Sequence, residues 1–148
     1  DTEIAPLLGE AVQSGGPLQG ADLTEAIARA SVLLFTPLWD EPFGLVAIEA
    51  MACGLPIAAV ENGAIREVAG DAARYAGADA GELAEALTEA IYISRIAGRE
   101  RVERFFTLER MLGAYEGLYA QAIETVGEGF DVPRFEAFQL PRCGHALF

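Results

Sequence analysis

Lysine is absent from this sequence: all ten basic side chains are arginines, from Arg29 to Arg142. A Walker P-loop and a Schiff-base lysine are therefore excluded. Histidine is represented by His145 alone, and the two cysteines, Cys53 and Cys143, lie far apart, so the chain can assemble neither a Cys/His zinc set nor a CxxC redox pair. Such cysteines read as free thiols, which points to a reducing compartment and hence to the cytoplasm. No apolar run approaches the roughly 20 residues of a membrane span, and no basic segment leads into an apolar stretch at the start. Positive charge is scarce beside 23 Asp and Glu, and the net charge of −13 disfavours nucleic acid or an anionic membrane as partner. The opening Asp1-Thr2-Glu3 lacks a methionine and is expected of a chain that begins inside a longer protein.

What is abundant is apolar material, 52% of 148 residues, enough for one packed core. We expect one domain over residues 1–126 and a C-terminal tail, residues 127–148, rich in Phe and Pro without a period. Charge is uneven: residues 1–93 carry a net of −12 and residues 94–148 a net of −1.

Along the chain, Ala11-Val12-Gln13 reads as a short strand ended by Ser14-Gly15-Gly16-Pro17. Asp22 with Glu25 three residues on reads as a helix cap, with Leu23, Ala26, Ile27 and Ala30 on one face. Val32 to Thr36 and Pro56 to Val60 are continuous apolar runs, as in strands covered on both faces. Between them the Ala-rich stretch from Gly44 to Cys53 reads as a helix with Gly54 as a left-handed C-cap. Ala73-Arg74-Tyr75 is a third strand, and Asp79 with Glu82 starts a helix whose buried face would carry Leu83, Ala84, Leu87, Ala90 and Ile91. From Thr107 a stripe of Met111, Leu112, Tyr115, Leu118, Tyr119, Ala122, Ile123 and Val126 predicts a helix that packs on something large. Strand and helix alternate, so the fold class is α/β, a Rossmann-like doubly wound parallel sheet.

The segment that carries chemistry is Asp40-Glu41-Pro42-Phe43-Gly44-Leu45-Val46-Ala47-Ile48-Glu49. It follows a strand, where ligands of open α/β sheets sit, and it opens a helix whose first amides suit a phosphate. Gly44 lets such a group approach the backbone. Glu41 and Glu49 lean toward the same helix end, and carboxylates accept hydrogen bonds from vicinal diols. Spacing alone favours a plainer reading, a capping acid and a solvent-facing helix residue.

More is carried by the longer string: Pro37-Leu38-Trp39-Asp40-Glu41-Pro42-Phe43-Gly44, then Glu49-Ala50-Met51-Ala52-Cys53-Gly54-Leu55-Pro56, then Asn62-Gly63-Ala64-Ile65-Arg66-Glu67-Val68. Over residues 10–125 the chain resembles the C-terminal, donor-binding domain of GT-B glycosyltransferases of family 4, with Glu41 and Glu49 as the E-x7-E motif. Arg104-Phe105-Phe106-Thr107 resembles the start of that family's closing helix. The resemblance implies transfer of a sugar from a nucleotide-diphosphate sugar, with retention of configuration and without metal or other cofactor. Glu41 would contact donor sugar hydroxyls and act as the catalytic residue. The amides of Phe43, Gly44 and Leu45 would meet diphosphate and sugar, Glu49 would hold the ribose, and Gly63 and Ala64 would close beside the phosphates. Trp39 reads as a rim aromatic and His145 as an ordinary surface or packing residue.

The family's diphosphate-binding Arg and Lys lie upstream of the matched region, and this chain has no Arg before Arg29. Its first donor-domain strands and acceptor domain are likewise missing, so residues 11–13 would be an orphan strand. A GT-B half incomplete at its N-terminus implies a partner, the missing domain or a second chain, and inactivity alone. The alternatives are a non-catalytic nucleotide-sugar-binding module or a sugar-nucleotide epimerase or phosphorylase of similar fold.

Overall fold

A computed structural model describes Pro6 and residues 8–126. Three parallel strands, β1 (Leu33–Phe35), β2 (Ile57–Val60) and β3 (Ala73–Ala76), form a sheet in sequence order. Leu33 pairs with Ile57 and Ile57 with Ala73, so Leu33, Phe35, Ile57, Ala59, Ala73 and Tyr75 share one face. Among the described residues six α-helices accompany it: α1 (Gly20–Arg29), α2 (Leu45–Ala52), α3 (Ile65–Ala69), α4 (Ala80–Ala90), α5 (Arg95–Phe105) and α6 (Leu108–Val126).

Residues from α2, α3 and α5 cover the first face, around Met51, Ile57 and Ile65, all fully buried. On the other face Ala58 packs with Ala86 and Ala90 of α4, so helices lie on both sides and the doubly wound α/β class holds. Central β2 is buried throughout, as its apolar run predicts.

Helix α2 ends as its sequence demands. Gly54 is left-handed at φ +72°. Its N–H donates to the Met51 carbonyl at 2.9 Å, while that of Leu55 reaches Ala50 at 2.8 Å, a Schellman arrangement. At the start of α4 the Asp79 carboxylate accepts from the amides of Gly81 and Glu82, and Glu82 accepts from Gly77, as the cap signal predicts.

Several expectations are corrected. Residues 11–13 form no strand; Gly9 and Val12 close a small turn through mutual backbone hydrogen bonds, which take up the groups a ladder would need. Helix α1 begins at Gly20, which puts Asp22 in its first turn rather than at its cap. On α4, Ala86 is buried and Ala84 faces solvent, as does Ile91 at the helix C-cap. β1 is covered on one face only: Phe35 is buried, whereas Leu34 is 48% exposed. From Met111 to Ile123 the α6 stripe is exposed and packs on no large surface among the described residues. Residues 127–148, with Cys143 and His145, lie outside the described residues; Cys53 is free and half-buried.

Arg101 fastens α5 to α3. Its Nε donates to the Val68 carbonyl at 2.7 Å and its terminal nitrogen to that of Glu67 at 2.6 Å, taking up the last carbonyls of α3. Arg101→Met is expected to lower the unfolding free energy by about 1–3 kcal/mol, as for charged donors lost from carbonyls. Arg99→Met, which breaks only an exposed pair with Glu103, should cost less than about 0.5 kcal/mol. Urea denaturation compares the two, and equal losses would contradict the clamp.

Candidate functional site

The loops leaving the carboxyl ends of β1 and β2 meet, and β2 brings the second behind the first. Ala64 N–H donates to the Glu41 carbonyl at 2.9 Å. Beside it Gly63 has φ +57°, and a Cβ there would lie 2.4 Å from the Glu41 carbonyl oxygen and 2.5 Å from its nitrogen. Only glycine allows this approach. Gly63 and Ala64 thus sit directly behind the Glu41 backbone.

In front of Glu41 lies an open cleft of about 720 Å³, with Phe35, Trp39, Glu41, Phe43, Gly44 and Leu45 among its walls. Gly44, at φ +83° and packed on the Phe35 ring, is the N-cap of α2, and no side chain caps the helix. The Gly44 carbonyl receives the amides of Ala47 and Ile48. The amides of Leu45 and Val46 precede the first helical bond, and both residues are exposed on the cleft wall. Two helix amides and a carboxylate therefore border the same space, with the partial positive charge of the helix end behind the amides. Among the described residues no arginine lines this cleft.

Of the residues singled out by sequence, Glu41, Phe43, Gly44 and Leu45 line the cleft and Gly63 supports it from behind. Ala64 faces a smaller cavity of about 250 Å³ on the other side of the loop, with Phe43, Val68, Arg101 and Phe106. Phe43 borders both spaces and meets Phe106 edge to face at 5.9 Å. Glu49, one turn into α2, is exposed and is not among the residues lining the cleft.

Two features escaped sequence reasoning. Trp39 donates its indole N–H to Glu41 Oε2 at 3.1 Å, which only the tight turn of the loop makes possible. Arg66 makes a two-pronged hydrogen bond to Glu61, across the loop that carries Gly63. That bonding holds the Glu61 carboxyl below its ordinary range and raises the Arg66 guanidinium. The Arg66 guanidinium lies 4.2 Å over the Tyr75 ring. Burial pushes the Tyr75 phenol up, and its hydroxyl donates to the Gly70 carbonyl at 2.7 Å.

Comparison with known proteins gives a consistent set of relatives. The model of the family described as glycosyl transferases group 1 matches residues 5–104. A D-inositol 3-phosphate glycosyltransferase of Mycolicibacterium smegmatis is 32% identical over 110 residues, covering 67% of this chain and 25% of that protein. The protein of that name from Rhodococcus opacus is 44% identical over 64 residues, 43% of this chain and 14% of its own length. Among solved structures, sucrose-phosphate synthase from Thermosynechococcus elongatus superposes with a TM-score of 0.70 at 28% identity, over 84% of this chain and 33% of that one. The chain thus spans about a quarter or less of these curated relatives.

Proposed function

The chain belongs to the glycosyl transferases group 1 family, and from that premise we propose that it is the donor-binding part of a GT-B enzyme, of family 4 type, that transfers a hexosyl group from a nucleotide-diphosphate sugar. One observation carries the reading: the Glu41 carboxylate and the uncapped start of α2 border one cleft, on a loop held from behind by Gly63 and Ala64.

In this reading the amides at Phe43, Gly44 and Leu45 receive the diphosphate and its adjoining sugar. Glu41 accepts hydrogen bonds from the sugar hydroxyls, and Glu49 holds the ribose. The reaction retains configuration and draws on no metal or other cofactor. Among the described residues no arginine lines the cleft; in this reading a further domain or a second chain completes it, adds positive charge for the diphosphate and brings the acceptor. Without it the chain is inactive. The domain runs through residue 126 and works in the cytoplasm; among the described residues no helix is long and apolar enough to cross a membrane. The relatives' names differ in what they act on, so no acceptor is carried over.

Calorimetry with UDP-, GDP- and ADP-linked hexoses tests the proposal, since binding of at least one of them is required. Glu49→Ala should weaken that binding by about 1–3 kcal/mol, the worth of hydrogen bonds to a charged group, without loss of fold. An unchanged dissociation constant in a folded variant would remove Glu49 from the site.

A further inference from the structure

We propose that Trp39 is a positioning residue that aims the Glu41 carboxylate into the cleft, a role that rests on reading Glu41 as the contact for the donor sugar. Gly63 and Ala64 hold the Glu41 backbone from behind. A glutamate side chain still has three rotatable bonds, so a fixed main chain does not fix its carboxylate.

Trp39 supplies the missing restraint. Its carbonyl accepts the Glu41 N–H at 2.8 Å, which closes a tight three-residue turn. Its indole Nε1–H donates to Glu41 Oε2 at 3.1 Å, so one residue grips both the main chain and the carboxylate of the other. An indole N–H only donates and therefore suits the ionised carboxylate. Oε1 is left to accept from a ligand hydroxyl. Trp39 is 64% exposed on the cleft wall, so burial does not explain a tryptophan here. Phenylalanine would keep the shape and lose the grip.

Trp39 is the sole tryptophan, so emission excited selectively at the indole, beyond the absorption of the four tyrosines, reports this loop alone. Glu41→Ala should shift that emission, and an unshifted spectrum would overturn the pairing. Calorimetry then compares UDP-glucose with UDP, and GDP-mannose with GDP, on the whole chain. Trp39→Phe is expected to weaken the sugar-linked ligand by about three- to tenfold and leave the free nucleotide unchanged, because only the sugar meets Glu41. In a Glu41→Ala background the same substitution should change nothing further. Equal weakening of both ligands would make Trp39 a packing residue and overturn the proposal. If Glu41→Ala removes the preference for the sugar-linked ligand while Trp39→Phe keeps it, the proposal fails and the donor reading stands. If wild type binds sugar-linked and free nucleotides alike, or Glu41→Ala preserves the preference, the donor reading fails and takes the proposal with it.

Discussion

Gly63→Ala is expected to abolish the sugar-dependent part of nucleotide-sugar binding in a chain that still folds. The new Cβ would stand 2.4 Å from the Glu41 carbonyl oxygen, far inside van der Waals contact, and the residue would be held at φ +57°. Left-handed backbone and overpacking together cost about 2–5 kcal/mol. Which side yields decides the outcome. Gly63 lies between buried Val60 and buried Ile65, whereas the opposing loop carries exposed Trp39 and Phe43. The loop therefore moves, Ala64 loses its bond to Glu41, and the carboxylate leaves the cleft. Calorimetry should find no sugar-dependent affinity, while thermal unfolding stays cooperative at a lower midpoint. Gly63→Asn separates the two causes: asparagine tolerates a left-handed backbone but carries the same Cβ, so it should fail as alanine does. Recovery of binding with asparagine would mean that backbone strain, not the clash, was responsible.

The second large effect is on catalysis. Glu41→Gln, assayed with the polypeptide that completes the cleft, should lower kcat by about a hundredfold, the scale seen when one preorganised polar group facing developing charge is removed. Breaking a glycosidic bond places positive charge on the transferred sugar, and a carboxylate stabilises it where a carboxamide does not. Affinity for the free nucleotide should remain within about twofold, because the proposed partner is the sugar. Equal losses in turnover and in free-nucleotide affinity would place Glu41 at the nucleotide instead.

The parts legible in the sequence were those where local chemistry and tertiary structure agree. The apolar run of β2 is buried on both faces, and Gly54 closes α2 as its position announces. Helix α5 gave no such signal: it is rich in charge, and its buried residue is Gly98, against which Met51 packs so closely that a Cβ would lie 3.3 Å away. A helix that docks through a missing side chain leaves no apolar stripe to read. Residues 11–13 have strand composition, yet a strand needs a neighbour, and no local pattern reports whether one is present. At the site, the Glu41 loop was legible as a motif. Its fastening by Gly63 and Trp39 was not, because it depends on where β2 delivers its loop and on a three-residue turn.

Helix α6 has a kinetic consequence. Among the described residues its backbone bonds are sheltered by little besides the helix itself, since the side chains of residues 109–124 are exposed and Gly113 and Gly117 have open space around them. Helix propensity alone is marginal over such a length, and each glycine costs about 1 kcal/mol relative to alanine. Its amides should therefore exchange with deuterated solvent through fraying, orders of magnitude faster than those of β2, which open only with the whole domain. A polypeptide that docks on Met111, Tyr115 and Leu118 would be recorded as slowed exchange from one turn of this helix to the next, and the pattern of protected turns would map its footprint.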